Sequence, residues 1–534
     1  MYTGGTPQHA AGYGFERQNC FATGLLPGKE EIKMRYLPDG NQMKNADSHT
    51  IHEVGIPSLV LMERAALQTV KVMEEYGIDT SRALVVCGSG NNGGDGFAIA
   101  RLLREKGHEA EVLFAGKESS LSEECRLQKQ IAQRQGIPVF TSYPGKEYTV
   151  VIDAVFGVGL SREITGNYLE IIRRMNESSG RKVAVDIASG ICSRTGQVLG
   201  TAFRAELTVA MACVKLGSVL YPGEEYSGRT VAVPIGIDPE YFRKSPEVCF
   251  TYDRADLAGL LPVRRADSHK GTYGKVLMIT GCAGMAGAAY LSAAAAYTAG
   301  AGLVQIYTAE ENRVILQQLL PEAIISCYGT YDEEQLDRLL AWADVVCIGC
   351  GLGQSGLSGK LLEHTLETAK VPCVIDADGL NLLSRRKELL DRACVPVILT
   401  PHMMEMSRLT GHTVGEIAED RIGCAAELAE RCQTVCVLKD SRTVVLEKGR
   451  QPFVNLAGNS AMAKAGSGDV LAGVITGLLA QGTEPFLAAC AGVFLHACGG
   501  DEARDVKGSY SVLARDLIAG IQRCMKKSKE QTER

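Results

Sequence analysis

Short apolar runs bounded by glycine, proline or polar residues recur along the chain and predict buried strands. The first series falls at 83–87, 110–114, 149–153, 182–186, 206–211 and 230–235. Helical segments lie between them, as in Phe97-Ala98-Ile99-Ala100-Arg101-Leu102-Leu103. Alternation of this kind implies a parallel sheet with helices on both faces. A polar, proline-bearing stretch from Gly236 to Pro262 interrupts it. A second series follows at 275–280, 302–307, 344–348, 373–376, 396–400 and 434–438. The pattern gives two α/β domains, 34–245 and 252–527, each long enough to bury its own core. We expect them to be separable. Residues 1–33 contain glycine, glutamine and proline without an apolar stretch, so they read as an extension ahead of Met34 and not as a secretory signal.

Composition narrows the class without naming a chemistry. The chain has 534 residues, 46% hydrophobic and 22% charged, with net charge −6. It has no basic arm or aromatic-basic interleaving, which argues against a nucleic-acid partner. The longest apolar run, 286–299, is alanine-rich and shorter than a membrane span, which argues against a membrane protein. Eighteen cysteines sit mostly in apolar segments, for example Cys87, Cys347, Cys373 and Cys436. They read as buried thiols of a cytoplasmic protein. Nine histidines without an H-x-x-x-H or H-E-x-x-H run make a zinc site an unsuitable reading.

Two glycine-rich turns carry the candidate chemistry. Gly466-Ser467-Gly468-Asp469 opens a helix, where unpaired N–H groups and the helix dipole attract an anion. Asp469 would stand beside a bound phosphate, placed to take a proton from a hydroxyl. The bland alternative is a loop that caps a buried helix. Upstream, strand 83–87 runs into Gly88-Ser89-Gly90-Asn91-Asn92-Gly93-Gly94-Asp95-Gly96 and then a helix. Gly88 to Gly93 satisfies G-x-G-x-x-G. The next strand, however, ends in Ala115-Gly116-Lys117, without the carboxylate of a dinucleotide dehydrogenase.

Carboxylates at strand ends add to both turns. Asp153 and Asp186 close strands beside the first loop, and Asp376 closes one in the second half. The carboxyl edge of an open α/β sheet is its ligand crevice. Each aspartate also reads as an ordinary turn or cap residue. His402 and Lys439 follow later strands, with a loop histidine and a solvated lysine as the plain alternatives.

At this level of detail the residues resemble known families. Gly55-Ile56-Pro57-Ser58-Leu59, the Asn91–Gly96 loop, Asp153-Ala154-Val155-Phe156-Gly157 and Val185-Asp186-Ile187-Ala188-Ser189-Gly190 are similar to the NAD(P)HX epimerases. Ser268-His269-Lys270-Gly271, Gly351-Leu352-Gly353, Asp376-Ala377-Asp378, Pro401-His402 and Gly466-Ser467-Gly468-Asp469 are similar to the ADP- or ATP-dependent NAD(P)HX dehydratases. The order of the halves resembles the bifunctional NAD(P)H-hydrate repair enzymes. One departure is Met462-Ala463-Lys464-Ala465, where the family commonly reads Met-Ala-Thr-Gly.

The resemblance implies a Rossmann-like three-layer α/β/α domain followed by a ribokinase-like α/β domain. It implies substrates NADHX and NADPHX, nicotinamide cofactors hydrated at C6. The first domain would interconvert their R and S epimers. The second would phosphorylate the S epimer and eliminate phosphate, a better leaving group than hydroxide. In the first domain it assigns substrate contacts to Asn91, Asn92, Gly93, Gly94, Asp95, Gly157, Val158, Gly159, Leu160, Ser161, Arg162, Glu163 and Asp186. Potassium would sit on Asn92, Asp153 and Ser189, and Asp153 and Asp186 both qualify as the epimerase acid/base. In the second, ADP or ATP would meet Lys439, Asp440, Ser441, Arg442, Thr443 and Gly468, with Mg2+ as a companion ion. Ala289, Gly353, His402 and Asp469 would face the hydrated dinucleotide, and Gly466, Ser467 and Gly468 would cradle the phosphoryl group. A homo-oligomer is expected. The rival reading is a hydroxymethylpyrimidine-type small-alcohol kinase fused to a non-catalytic nucleotide-binding domain.

Asp469→Asn is expected to lower NADH regeneration by about 10²–10⁴, the usual contribution of a general base, while R/S interconversion continues. Near-wild-type dehydration by the variant would refute the base assignment.

Overall fold

The computed structural model describes residues 34–532; the 1–33 extension lies outside them. Every strand expected from the apolar runs is present, with ends shifted by a residue or two. The first sheet is wholly parallel. Its order is Val139–Phe140, Glu109–Phe114, Arg82–Cys87, Val150–Ala154, Arg181–Val185, Leu207–Met211 and Arg229–Val233. The inner strands are buried on both faces, as Leu84, Val85 and Val86 show, which is why they read as continuous apolar runs and not as alternations. The chain reverses its direction across the sheet between Arg82–Cys87 and Val150–Ala154. That switch point opens a crevice at their carboxyl ends.

The second sheet has eleven strands. A parallel run comprises Ile324–Tyr328, Leu303–Ala309, Lys275–Ile279, Val345–Ile348, Cys373–Ile375, Val397–Leu399 and Val435–Leu438. Antiparallel Val444–Leu446 and Phe453–Val454 extend it. The switch point lies between Lys275–Ile279 and Val345–Ile348. Helix Ser467–Ala480 packs closely on helix Ala286–Ala299. Glycine permits the approach: a Cβ on Gly473 would stand 2.1 Å from the Ser292 carbonyl oxygen, and one on Gly477 2.5 Å from that of Ala296. This packing fixes where Asp469 begins its helix.

The two halves are not joined by a simple linker. Arg35–Leu37, at the start of the first half, pairs antiparallel with Cys249–Thr251 and closes the second sheet. Phe250 N–H in turn donates to the Pro452 carbonyl at 2.9 Å. Tyr36 is buried with its ring 6.1 Å from that of Phe242, while the Phe250, Tyr252 and Phe453 rings pack against one another, edge-on or tilted, with centroids 5.0–5.5 Å apart. The sequence contains no local signal for a three-residue strand with so distant a partner. A cut near residue 248 therefore breaks the link between this strand and its partner, and the separability expected above has to contend with a shared core. Helix Gly40–His52 follows directly, started by an Asp39–Gln42 capping box, and lines the first crevice with Met43, Lys44, Asp47 and Ile51.

Among the described residues every cysteine is a free thiol, and no helix is long and apolar enough to cross a membrane.

Tyr36→Ala is expected to destabilise the chain by about 3 kcal/mol through loss of a large buried ring, read from urea unfolding. A loss below about 1 kcal/mol would contradict the shared core.

Candidate active sites

The first crevice is a cavity of about 700 Å3. Asn91, Asn92, Asp95, Gly157, Val158, Gly159, Leu160, Ser161, Arg162 and Asp186 all line it. Gly93 and Gly94 lie behind the wall and serve packing: a Cβ would meet the Gly88 carbonyl oxygen at 2.1 Å and Met62 Cε at 2.6 Å, respectively. Glu163 is exposed to solvent and does not line the cavity.

Asp186 holds the left-handed backbone region at φ +71°, which aspartate tolerates better than most residues. Its Oδ1 accepts from the Met211 amide at 3.1 Å and is ion-paired with Lys215. Lys215 is fully buried and also donates to the Met211 carbonyl at 2.7 Å. Asp47, brought by helix Gly40–His52, lines the same cavity. Burial, aided by the Asp186 charge, pushes its carboxyl up to about 6. Burial also raises Asp95 well above the usual carboxylate range, with Asp186 and Asp47 adding to the effect. One ion-paired carboxylate and two that favour their protons thus line one cavity. Sequence reading missed Asp47 and Lys215, because neither stands at a strand end or in a glycine turn.

Asp153 has a different surrounding. It is fully buried, and both oxygens are engaged: Oδ2 accepts from the Ser189 amide at 2.7 Å, and Oδ1 from the Ser189 hydroxyl at 2.6 Å and the Val155 amide at 3.2 Å. Burial nonetheless raises it to about 6, against these hydrogen bonds. Nearby, Asn92 is buried with both amide atoms unpartnered, and a Cβ on Gly157 would lie 3.2 Å from the Asn92 Cβ. A buried amide oxygen of this kind is a ligand type that suits a hard cation.

In the second half, Asp376, Lys439, Glu405, Cys350 and Asp469 converge. Lys439 Nζ donates to Asp376 Oδ1 at 2.5 Å and stands 4.0 Å from Glu405. Thr400 Oγ1 donates to the same Asp376 oxygen at 2.7 Å. Burial opposes the Lys439 charge, yet Asp376 and Glu405 hold its pKa above the ordinary lysine value. Lys439 is therefore a buried ion-pair member and not a solvated side chain. Burial, reinforced by the Asp376 charge, pushes Asp469 up to about 6, and burial pushes Glu405 up to about 7. Gly468 makes room for the ammonium: a Cβ there would stand 3.3 Å from Lys439 Nζ.

Gly466 adopts φ +89°, and a Cβ would fall 2.6 Å from Leu291 Cδ1, so this turn requires glycine. The Ser467 amide donates to the Lys464 carbonyl at 3.2 Å, so it is not the unpaired donor expected of the cradle. Behind the loop, Ser467 Oγ lies 3.4 Å from Nε2 of buried His496, whose pKa burial lowers to about 4.

The remaining sequence-selected residues divide. Gly353 N–H donates to Asp378 Oδ2 at 2.9 Å. His402 caps its helix, Nδ1 accepting from the Met404 amide at 3.1 Å, and its backbone N–H donates to Glu405 at 2.9 Å. Ala289 is fully buried beside Gly281 and has no exposed surface for a ligand. In the hairpin loop 439–443, Asp440 accepts from Arg421 at 2.7 Å, and Thr443 Oγ1 donates to the Asp440 carbonyl at 3.1 Å. Ser441 is exposed at the tip. The Arg442 guanidinium turns toward the first half of the chain, where Nε donates to the Val219 carbonyl at 3.1 Å and Nη2 pairs with Glu224.

Comparison with known proteins follows the same division. Residues 276–523 match the family described as NAD(P)H-hydrate dehydratase, and residues 58–217 match the YjeF-related protein N-terminus. The chain is 36% identical over 523 residues to the bifunctional NAD(P)H-hydrate repair enzyme Nnr of Moorella thermoacetica, covering 93% of this chain and 98% of that protein. It is also 36% identical over 488 residues to that of Coxiella burnetii, covering 91% and 98%. A solved ADP/ATP-dependent NAD(P)H-hydrate dehydratase from Bacillus subtilis, co-crystallized with ATP/Mg2+, is 33% identical, with a TM-score of 0.47 over 52% of this chain and 97% of its own.

Proposed function

The chain belongs to the bifunctional NAD(P)H-hydrate repair enzymes, and on that premise we propose how its two sites divide the repair. The enzyme epimerises R- and S-NAD(P)HX and dehydrates S-NAD(P)HX to NAD(P)H with ADP or ATP as phosphoryl donor. The observation that carries the division is that each sheet has its own switch-point crevice with its own buried carboxylates.

Epimerisation requires a bond at C6 to break and re-form: as a base takes the C6 hydroxyl proton and an acid protonates N1, the C6–N1 bond of the hemiaminal opens to an aldehyde, and the reverse steps close it on either face. Asp186, ion-paired with Lys215, suits the base. Asp47, with its raised pKa, suits the group that gives the proton back. Asp153 is walled in by Ser189 and suits a cation ligand better than an acid/base. The donor set Asn92, Asp153 and Ser189 is all oxygen and fits potassium; bound there, the ion would supply a fixed positive charge beneath the loop.

In the second site, Asp469 takes the proton of the C6 hydroxyl as its oxygen attacks the terminal phosphorus of the nucleotide, and the phosphoanhydride bond breaks to release AMP from ADP or ADP from ATP. Lys439 and the helix N-terminus receive the transferred negative charge. The ring nitrogen then expels phosphate from C6, and loss of a proton from C5 restores the double bond. The nearest candidate metal cluster, Cys350, Asp376 and Asp469, does not fit a protein-held magnesium ion. One ligand is a thiol, and Asp376 already carries Lys439. The nucleotide's own phosphates are left to hold Mg2+. The buried free thiols fit a reducing cytoplasm. Exposed Val314, Ile315, Leu319 and Ile324, at the edge of the second sheet, fit self-association.

With an R/S mixture of NADHX, ADP and potassium, NADH absorbance is expected to return completely. Asp153→Asn is expected to leave the fast S phase intact and slow the R phase, with a weakened potassium response. Wild-type recovery that halts at the S fraction would overturn the epimerase assignment. The kcat/KM for dehydration is expected to fall about tenfold per pH unit below about 6, because Asp469 must be ionised to accept a proton and is protonated below its raised pKa. A flat profile between about pH 5 and 8 would remove Asp469 as the base.

A further inference from the structure

Two arginines of the second half reach across to the first half around the hairpin loop 439–443. Arg442 Nε donates to the Val219 carbonyl at 3.1 Å, and its Nη2 is ion-paired with Glu224. Its guanidinium lies 5.5 Å from the Tyr221 ring centroid. Its last contact, Nη1 to the Leu456 carbonyl at 3.3 Å, returns to the second half. Arg421 Nε donates to Asp440 Oδ2 at 2.7 Å, while its Nη1 reaches the Ala418 carbonyl at 2.6 Å and the Tyr221 carbonyl at 3.4 Å. Both guanidiniums are largely buried, with side-chain exposures of 13% and 11%. Arginines so spent act as fixed struts and not as mobile anion hooks.

The segment they grip is itself anchored. Leu216 and Leu220 are buried in the same apolar cluster as Leu438 and Val444, the residues flanking the loop. The Leu216 amide donates to the Pro38 carbonyl at 3.1 Å. Of the loop's charged residues, Arg442 is held chiefly by segment 219–224 and Asp440 by Arg421, while Lys439 pairs with Asp376 and Glu405 inside the second site.

We propose that Glu224, with the carbonyls of Val219 and Tyr221, is a positioning group contributed by the first half to the nucleotide loop of the second. This inference rests on the reading that loop 439–443 receives ADP. Glu224 touches no reacting atom. It fixes Arg442, and through Arg442 the presentation of the loop backbone. Nucleotide affinity in the fused chain then depends on an interface that a free-standing dehydratase half lacks.

The test is Glu224→Gln in the full chain, which keeps shape and removes charge, with Glu224→Asp as the conservative variant. The KM for ADP at saturating S-NADHX, and the ADP Kd by calorimetry, are expected to rise about fivefold or more together. The kcat, the KM for S-NADHX and the rate of R/S interconversion should stay within about twofold of wild type, and Glu224→Asp should recover most of the ADP affinity. Unchanged ADP Kd and KM would overturn the proposal. So would a parallel loss of every parameter, epimerisation included, which would mark Glu224 as a general structural residue. Lys439→Gln separates the underlying reading: if ADP binding ignores that change, loop 439–443 is not the nucleotide site. If ADP binding responds to Lys439→Gln but not to Glu224→Gln, only the positioning role fails.

Discussion

A carboxylate taken out of water must find a cation or several donors, or else keep its proton. Both crevices are organised around that requirement. Asp153 meets it with the Ser189 hydroxyl and two amides. Asp186 meets it with Lys215, and Asp376 with Lys439 and Thr400. Asp47, Asp95 and Asp469 meet it least well, and burial raises their pKa values; burial raises Asp153 too, against its hydrogen bonds. The groups left least satisfied are those suited to moving protons at neutral pH. Of the well-satisfied ones, Asp186 suits the base of the first site, and Asp153 and Asp376 suit cation binding and positioning.

The fold supplies this pattern twice, and by the same means. In each sheet the strand series reverses at a central strand, which leaves a gap between helices at the carboxyl ends. A glycine-rich turn enters each gap because backbone must approach closely there. Gly93 and Gly466 have no room for a Cβ, and Gly468 gives Lys439 its space. The difference lies in what accompanies the turn. The first crevice is a roomy cavity with three carboxylates on its wall and a fully buried lysine paired with one of them. The second places an ion-paired lysine beside a carboxylate of raised pKa at a helix start. The former suits proton traffic on a ring, and the latter suits phosphoryl transfer.

Much of this was legible in the sequence. Continuous apolar runs mark strands buried on both faces, and the glycine turns with strand-end aspartates mark the crevices. Three kinds of feature were not legible. Arg35–Leu37 is too short to show a period and takes its partner from the far side of the first domain. Lys215 and Asp47 come from elements whose local pattern is ordinary, and only tertiary packing brings them to Asp186. Arg442 reads as one more cation in a nucleotide loop, yet its partners lie in the other half of the chain. Sequence also gave Asp153 and Asp186 equal standing, and burial distinguishes them.

The central claim is that the second crevice removes the C6 oxygen as phosphate and not as water. An oxygen-isotope label placed in the C6 hydroxyl of S-NADHX tests it most directly, with released phosphate analysed by mass spectrometry after one turnover with ADP. The account predicts that the label appears in inorganic phosphate in step with NADH formed. Label recovered in bulk water, with unlabelled phosphate, would contradict it.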